Sequence, residues 1–252
     1  MLGLPEAASA HAAEIDNLII VIHYFMFVLA GIWGVFFLYC LFRFRASRNP
    51  TANYHGVTSN AGSYLEAGVV LFEAILLIGF AFPMWNKWVK DFPPPDEAEQ
   101  VRVVAEQFAW NFHYPGPDGK FGQTSPHLID IESNPLGLDR ANDPAAADDI
   151  VTLNQLHLPL NKPALLFLTS KDVIHSFKVV HMRVTQDAIP GIQIPIAFTP
   201  TKVGEYDIAC AQLCGIGHYR MKGYLTVDSP EDYEKWQSDQ LAMLGDAGEE
   251  VW

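Results

Sequence analysis

Cys210-Ala211-Gln212-Leu213-Cys214-Gly215-Ile216-Gly217-His218-Tyr219-Arg220-Met221 places two thiols, an imidazole and a thioether within twelve positions. Soft donors of this kind suit copper. A mononuclear blue-copper site uses one cysteine, two histidines and a thioether, so the second cysteine is surplus to that design and points to two coppers sharing two thiolates. The competing reading of Cys210 and Cys214 is a disulfide, which an oxidising compartment permits. Met221 taken alone reads as core filler, the commonest use of methionine. Ligands that must stay rigid and dry belong on loops of a stable scaffold, so a well-ordered domain is expected around this segment.

One short segment cannot surround a metal, so a further histidine has to come from another loop. Asp172-Val173-Ile174-His175-Ser176-Phe177 offers His175 between two strand-like runs. His175 is preferred to His181 and His157, which read as ordinary strand or surface histidines. The runs 100–112, 150–158, 164–169, 176–180, 192–198 and 204–209 are β-branched or aromatic and punctuated by Pro, Gly and Asn. They predict an all-β sandwich or barrel over 100–228. Within it, 116–149 is an insertion carrying Asp130, Asp139, Asp143, Asp148 and Asp149. Clustered oxygen donors raise a calcium reading there, set against that of a solvated loop. In the last segment, 229–252, Ser229-Pro230-Glu231-Asp232 reads as a capping box with proline at the first helical position, opening a helix to about Leu244.

Upstream the chain changes character. Leu18 to Phe42 contains no Asp, Glu, Lys or Arg, and it exceeds the roughly 20 residues that cross a bilayer as a helix. The segment before it, 1–17, lacks a basic start, so a signal-anchor is expected rather than a cleaved secretory signal. A second run, Leu65 to Trp85, holds Glu66 and Glu73 but is otherwise apolar, and Trp85 and Trp88 mark an interface. Together these give a transmembrane hairpin over 18–90, with helices at about 18–42 and 65–85. Cys40 is a packing residue of the first helix. Arg43, Arg45 and Arg48 lie between the runs, with no acid before Glu66. The positive-inside rule puts that connection in the cytoplasm and both termini outside. The prolines of 91–99 make a stiff linker.

The chain is 50% hydrophobic and carries a formal net charge of -13, with 13 basic against 24 acidic side chains from Asn86 onward. An acidic exterior argues against nucleic acid and suits a basic protein partner, set against the reading of an acidic domain kept soluble by self-repulsion. The sequence holds no Cys-x-x-Cys-His, the attachment signature of a c-type haem.

The loop resembles the Cys-x-Glu-x-Cys-Gly-x-x-His-x-x-Met segment of subunit 2 of cytochrome c oxidases, matching at Cys210, Cys214, Gly215, His218 and Met221. Asp172 to Phe177 and Asp187-Ala188-Ile189-Pro190-Gly191 resemble two further segments of that family. The resemblance implies a cupredoxin-like barrel and a binuclear copper centre, CuA. Its ligands would be His175, Cys210, Cys214, His218, Met221 and the backbone carbonyl of Gln212. It further implies a large haem-copper catalytic subunit, holding haems and another copper, as partner. The donor would be cytochrome c, or a cytochrome c domain of a neighbouring complex, with oxygen reduced to water and protons translocated. The membrane would be a bacterial cytoplasmic one, with the copper domain on its periplasmic side.

Two departures stand out. Gln212 replaces a glutamate whose carboxylate, in many relatives, also reaches a shared magnesium, and a neutral amide is the weaker partner for that hard cation. Phe108, in Gln107-Phe108-Ala109-Trp110, replaces the tryptophan that accepts electrons in many members, leaving Phe108 and Trp110 as candidates for electron input. Glu66 matches a glutamate found at the cytoplasmic mouth of a proton channel, whereas Glu73 has no counterpart. The neighbouring readings are the CuA subunit of a nitric oxide reductase and a membrane-anchored copper carrier. A quinol oxidase subunit is disfavoured, because that family lacks the copper ligands.

Overall fold

Ala12–Arg43 folds as one helix, α1, in the computed structural model, which describes residues 3–51, 54–56 and 58–249. At about 1.5 Å per residue it is longer than a bilayer core of about 30 Å needs. Its last turn is closed by Asn49, whose Nδ2 donates to the Arg43 carbonyl at 2.6 Å. The second apolar run forms α2 (Ala61–Leu76), a π-turn over Leu77–Ala81 and α3 (Phe82–Lys90). Proline explains the widened turn. Pro83 has no N–H, and its ring clashes with the carbonyl four residues back, a conflict relieved when the preceding turn expands. The two runs pack as a hairpin: Phe25 of α1 meets Phe72 of α2 at 4.4 Å between ring centres, and Lys87 pairs with Glu14 at 3.1 Å. Both runs are long and apolar enough to cross a membrane, and they form one compact unit over Glu14–Lys90.

The second unit joins Gly3–Ala13 to the chain from Asp91 onward. It contains ten strands: β1 (Glu99–Glu106), β2 (Ala109–Tyr114), β3 (Ile150–Leu153), β4 (Gln155–Pro159), β5 (Ala164–Ser170), β6 (His175–Val179), β7 (Val184–Ala188), β8 (Ile194–Phe198), β9 (Gly204–Cys210) and β10 (Lys222–Asp228). They make two five-stranded sheets, ordered β3-β2-β1-β5-β8 and β4-β10-β9-β6-β7. Alternation along β1 buries Val101, Val103 and Ala105 on one face, the period-two pattern of a sheet lying on a core. Trp110, Phe112, Phe177, Leu156, Leu166, Ile208 and Leu225 fill the space between the sheets. The fold is therefore the expected one, a two-helix apolar hairpin followed by a cupredoxin-like β-sandwich.

The strand count departs from expectation for local reasons. The run 100–112 is two strands of an antiparallel hairpin turning at Gln107 and Phe108. The run 150–158 breaks at Asn154, whose φ of 59° lies in the left-handed region that asparagine tolerates. There the chain leaves one sheet and joins the other. Ser229 caps α4 (Pro230–Glu249): its Oγ accepts from the Asp232 amide at 3.2 Å and donates to the Asp232 carboxylate at 2.6 Å. The helix is docked by Trp236, which stacks on His157 at 4.4 Å.

The insertion is built rather than loose. Leu136 and Leu138 are buried, and Arg140 donates to the carbonyls of Ala146, Ala147 and Asp149. Its aspartates accept from backbone amides: Asp130 from Glu132 and Ser133, Asp139 from Asn142, Asp143 from Gln123. Carboxylates shaping turns in this way argue for a structural loop over a calcium site.

Gly3–Ala13 is stitched to the β-domain. The amides of Ala8 and Ala10 donate to the carbonyls of His181 and Thr199, and the Thr201 amide donates back to Ala8. Ala8 and Ala12 are fully buried.

Candidate metal centre

β6 and β9 are antiparallel neighbours, pairing Phe177 with Cys210. β9 and β10 are also neighbours, pairing Ala209 with Lys222. The segment 211–221 is thus an excursion between two adjacent strands, closed at its neck where the Cys210 amide donates to the Met221 carbonyl at 3.3 Å. The Ala211 amide donates to Ser176 O at 2.9 Å, fixing the excursion to β6. This topology brings His175, the first residue of β6, against a loop 35 residues later.

The side chains converge. Cys210 Sγ and Cys214 Sγ lie 3.8 Å apart, and both cysteines are free, so the disulfide reading does not describe this structure. His175 Nδ1 is 3.1 Å from Met221 Sδ and 3.9 Å from Cys210 Sγ. His218 Nδ1 is 3.7 Å from Cys214 Sγ, and Met221 Sδ is 3.8 Å from the same sulfur. Cys210 Sγ sits 3.1 Å from the Gln212 carbonyl oxygen. The ligand atoms of His175, Cys210 and Cys214 all lie within 4.8 Å of one another. His175 is wholly buried, while Cys214 and Met221 are nearly so. His181 and His157 lie elsewhere. The former gives its carbonyl to Ala8, and the latter bonds Asp228 at 2.8 Å.

Hydrogen bonds orient the donors and set their charge. His175 Nε2 bonds Asp172 Oδ1 at 2.9 Å. Partial burial raises the Asp172 carboxyl, but hydrogen bonds from His175 and from the amides of Val173 and Gln107 hold it below the usual carboxylate range. An ionised Asp172 accepts the hydrogen bond of His175 Nε2 and orients the ring so that Nδ1 faces the sulfurs of Met221 and Cys210. Nδ1 joins the thioether and the Gln212 carbonyl around the two cysteine sulfurs. Burial raises the Cys210 thiol, yet hydrogen bonds from His175 and from backbone groups outweigh it and bring it down to about 6. Burial and the neighbouring Cys210 raise Cys214. The donor set fits copper, with soft sulfur and imidazole in a dry setting.

Phe108 lies against the loop: a Cβ added at Gly217 would come within 2.4 Å of its ring. Trp110 is fully buried beneath the site, with its ring 6.2 Å from that of His175, so a molecule docking at the surface does not touch it. Glu66 and Glu73 belong to the helical unit and are exposed on α2. The helix begins at Ala61, four residues earlier than predicted, so Glu66 sits in its second turn. Asp172 and Gln107 carried no assigned role in the sequence. A signal existed for Asp172, which lies three residues before the histidine it orients. None existed for Gln107.

Comparison with known proteins follows this geometry. The family described as "Cytochrome C oxidase subunit II, periplasmic domain" matches residues 100–227. The alternative cytochrome c oxidase subunit 2 of Bradyrhizobium diazoefficiens is 34% identical over 215 residues, covering 85% of this chain and 76% of that one. The heme-copper oxidase subunit 2 of Aeropyrum pernix is 27% identical, covering 83% and 82%. Among solved structures, the periplasmic domain of subunit II of cytochrome oxidase from Bradyrhizobium japonicum is 25% identical. It covers 60% of this chain and 98% of its own, with a TM-score of 0.44.

Proposed function

Because this chain belongs to the cytochrome c oxidase subunit II family, we propose that it is the electron-accepting subunit of a respiratory oxidase, taking electrons from cytochrome c at a binuclear copper centre and delivering them to haem in a large catalytic subunit. The observation that carries this reading is the convergence of six donors from two loops. His175 Nδ1 beside Met221 Sδ would serve one metal, and His218 with the Gln212 carbonyl the other, with Cys210 and Cys214 lying between. When bound, such a pair of coppers supplies a one-electron relay in which charge is shared over both metals.

The chain's own part is to hold the donors still and keep water out. His175 is fixed by Asp172 and buried, and the loop neck is tied to two strands. Donors fixed from separate elements suit a permanent centre better than a reversible copper carrier. Phe108, partly exposed and packed on the ligand loop, is the proposed point of electron input. Leu213, Ile216 and Tyr219 project from the loop with 78%, 95% and 85% exposure, apolar surface of the kind that partner subunits cover. Gln212 offers no carboxylate, so a magnesium ion shared with the partner is not part of the proposal.

The helical connection is proposed to face the cytoplasm, with the β-domain and both termini on the periplasmic side, a reading supported by Arg43, Arg45 and Arg48 in that connection. The packing of Gly3–Ala13 on the β-domain supports that arrangement. Glu66, near the cytoplasmic end of α2, is proposed to feed protons to a channel in the large subunit. The reading is tested by purifying the tagged chain from membranes of its host. A haem-bearing partner and oxygen uptake driven by reduced cytochrome c are expected. Recovery of the chain without haem would contradict it, and consumption of nitric oxide instead of oxygen would move the chain to a reductase.

A further inference from the structure

Gln107 touches both halves of the candidate metal centre. Its backbone N–H donates to Asp172 Oδ2 at 2.7 Å, and the other oxygen of that carboxylate holds His175 Nε2 at 2.9 Å. Its side-chain Nε2 donates to the Cys214 carbonyl at 2.6 Å. The residue sits in the turn between β1 and β2, on a third segment that supplies no ligand of its own. Strand pairing and the Ala211 amide tie the histidine and cysteine loops at their bases, and His175 Nδ1 meets Met221 Sδ and Cys210 Sγ directly. Gln107 joins them at the level of the donor atoms.

The surrounding loop is shaped around this contact. Gly215 has a φ of +136°, and a Cβ there would come within 2.8 Å of Gln107 Nε2. A Cβ at Gly217 would run into the ring of Phe108. Two glycines thus allow the turn residues Gln107 and Phe108 to reach the backbone of the ligand loop. The amide orientation is set by chemistry, since only the NH2 end can face a carbonyl oxygen.

We propose that Gln107 is a positioning residue for the metal centre, clamping the Cys214 backbone and the His175–Asp172 pair to one rigid turn and so fixing the distance between the two ligand loops. The proposal rests on the binuclear copper reading. It assigns the Gln107 side chain a role in the electronic structure of the centre, beyond supporting the fold, because a shift of either loop alters how the thiolates and the imidazole meet the metals.

The test uses the full-length chain in detergent, loaded with copper, comparing the native protein with Gln107→Met and Gln107→Glu. Methionine keeps the length and removes the donor. Glutamate keeps the shape and sets an oxygen against the Cys214 carbonyl. The readouts are the copper hyperfine spectrum, the reduction potential, the rate of copper loss to a chelator and the melting temperature of the copper-free chain. Both variants are expected to retain two coppers and the copper-free melting temperature, to show altered hyperfine couplings and a shifted potential, and to lose copper about 10-fold faster, in line with other residues that orient metal ligands. Spectrum and potential unchanged in both variants would overturn the clamp. So would a copper-free melting temperature that falls as far as that of the loaded chain, which would mark Gln107 as a residue of the fold alone. Failure of the native chain to bind two coppers would instead remove the reading on which the clamp depends, and the clamp with it.

Discussion

Cys214 and Met221 make different contributions to the same cluster, and substitutions should separate them. Cys214 Sγ lies within 3.8 Å of Cys210 Sγ, His218 Nδ1 and Met221 Sδ, so it is the shared neighbour of both halves. Cys214→Ser is expected to leave at most one copper per chain and to abolish the hyperfine signature of a shared electron, as read by metal analysis and paramagnetic resonance. Met221 is buried and contributes one thioether. Met221→Leu conserves volume and should cost less than about 1.5 kcal/mol of stability, with two coppers retained and the reduction potential moved. Cys210, Cys214, His218 and Met221 stand out in the sequence because soft residues crowd one short loop, and His175 because a second segment offers it, whereas the Gln212 carbonyl enters only through the family resemblance. Of the residues that orient them, Asp172 had a sequence signal and Gln107 had none. Gln107 acts through its amides across a fold whose hairpin cannot be deduced from composition, and Trp110, an electron-input candidate on sequence grounds, proves to be wholly buried.

Strands and helices were foreseen where periodicity is strong and missed where a single residue changes the path of the chain. The apolar helices and the cap at Ser229 were plain, and the π-turn before Pro83 was not, since it answers to a steric conflict one turn away. Asn154 is the clearest case. At φ 59° it divides one predicted strand into β3 and β4, and its Oδ1 accepts from the Trp110 amide at 2.9 Å. Asn154→Ala should destabilise the chain by about 2 kcal/mol, combining left-handed strain with an unpaired amide next to the core. Asn154→Gly removes the strain and keeps only the lost hydrogen bond, so it should fall between alanine and the native protein in denaturant unfolding. Equal losses for both would show that backbone conformation plays no part. β7 and β10 lie outside the predicted runs: Val184-Thr185-Gln186-Asp187-Ala188 alternates at a sheet edge with polar residues facing out, and Lys222–Asp228 alternates more exposed residues with buried Leu225 and Val227.

For the whole molecule, Gly3–Ala13 belongs with the β-domain although an apolar hairpin separates them in sequence. A fragment starting near Gln100 would lose buried Ala8 and the hydrogen bonds around it, and should therefore be less stable than a chain that includes 3–13. Under the proposed topology, an epitope inserted between 44 and 60 should be reached only after the membrane is opened, and one at the N-terminus should be reached in intact spheroplasts. The reverse labelling would invert the proposed topology. The measurement that bears most directly on the account is copper content with the paramagnetic resonance spectrum of the full chain purified from membranes. Two coppers per chain with the seven-line hyperfine pattern of one electron shared by two copper nuclei is the predicted result. A single copper with an unshared electron, or no copper with Cys210 and Cys214 joined as a disulfide, would contradict it.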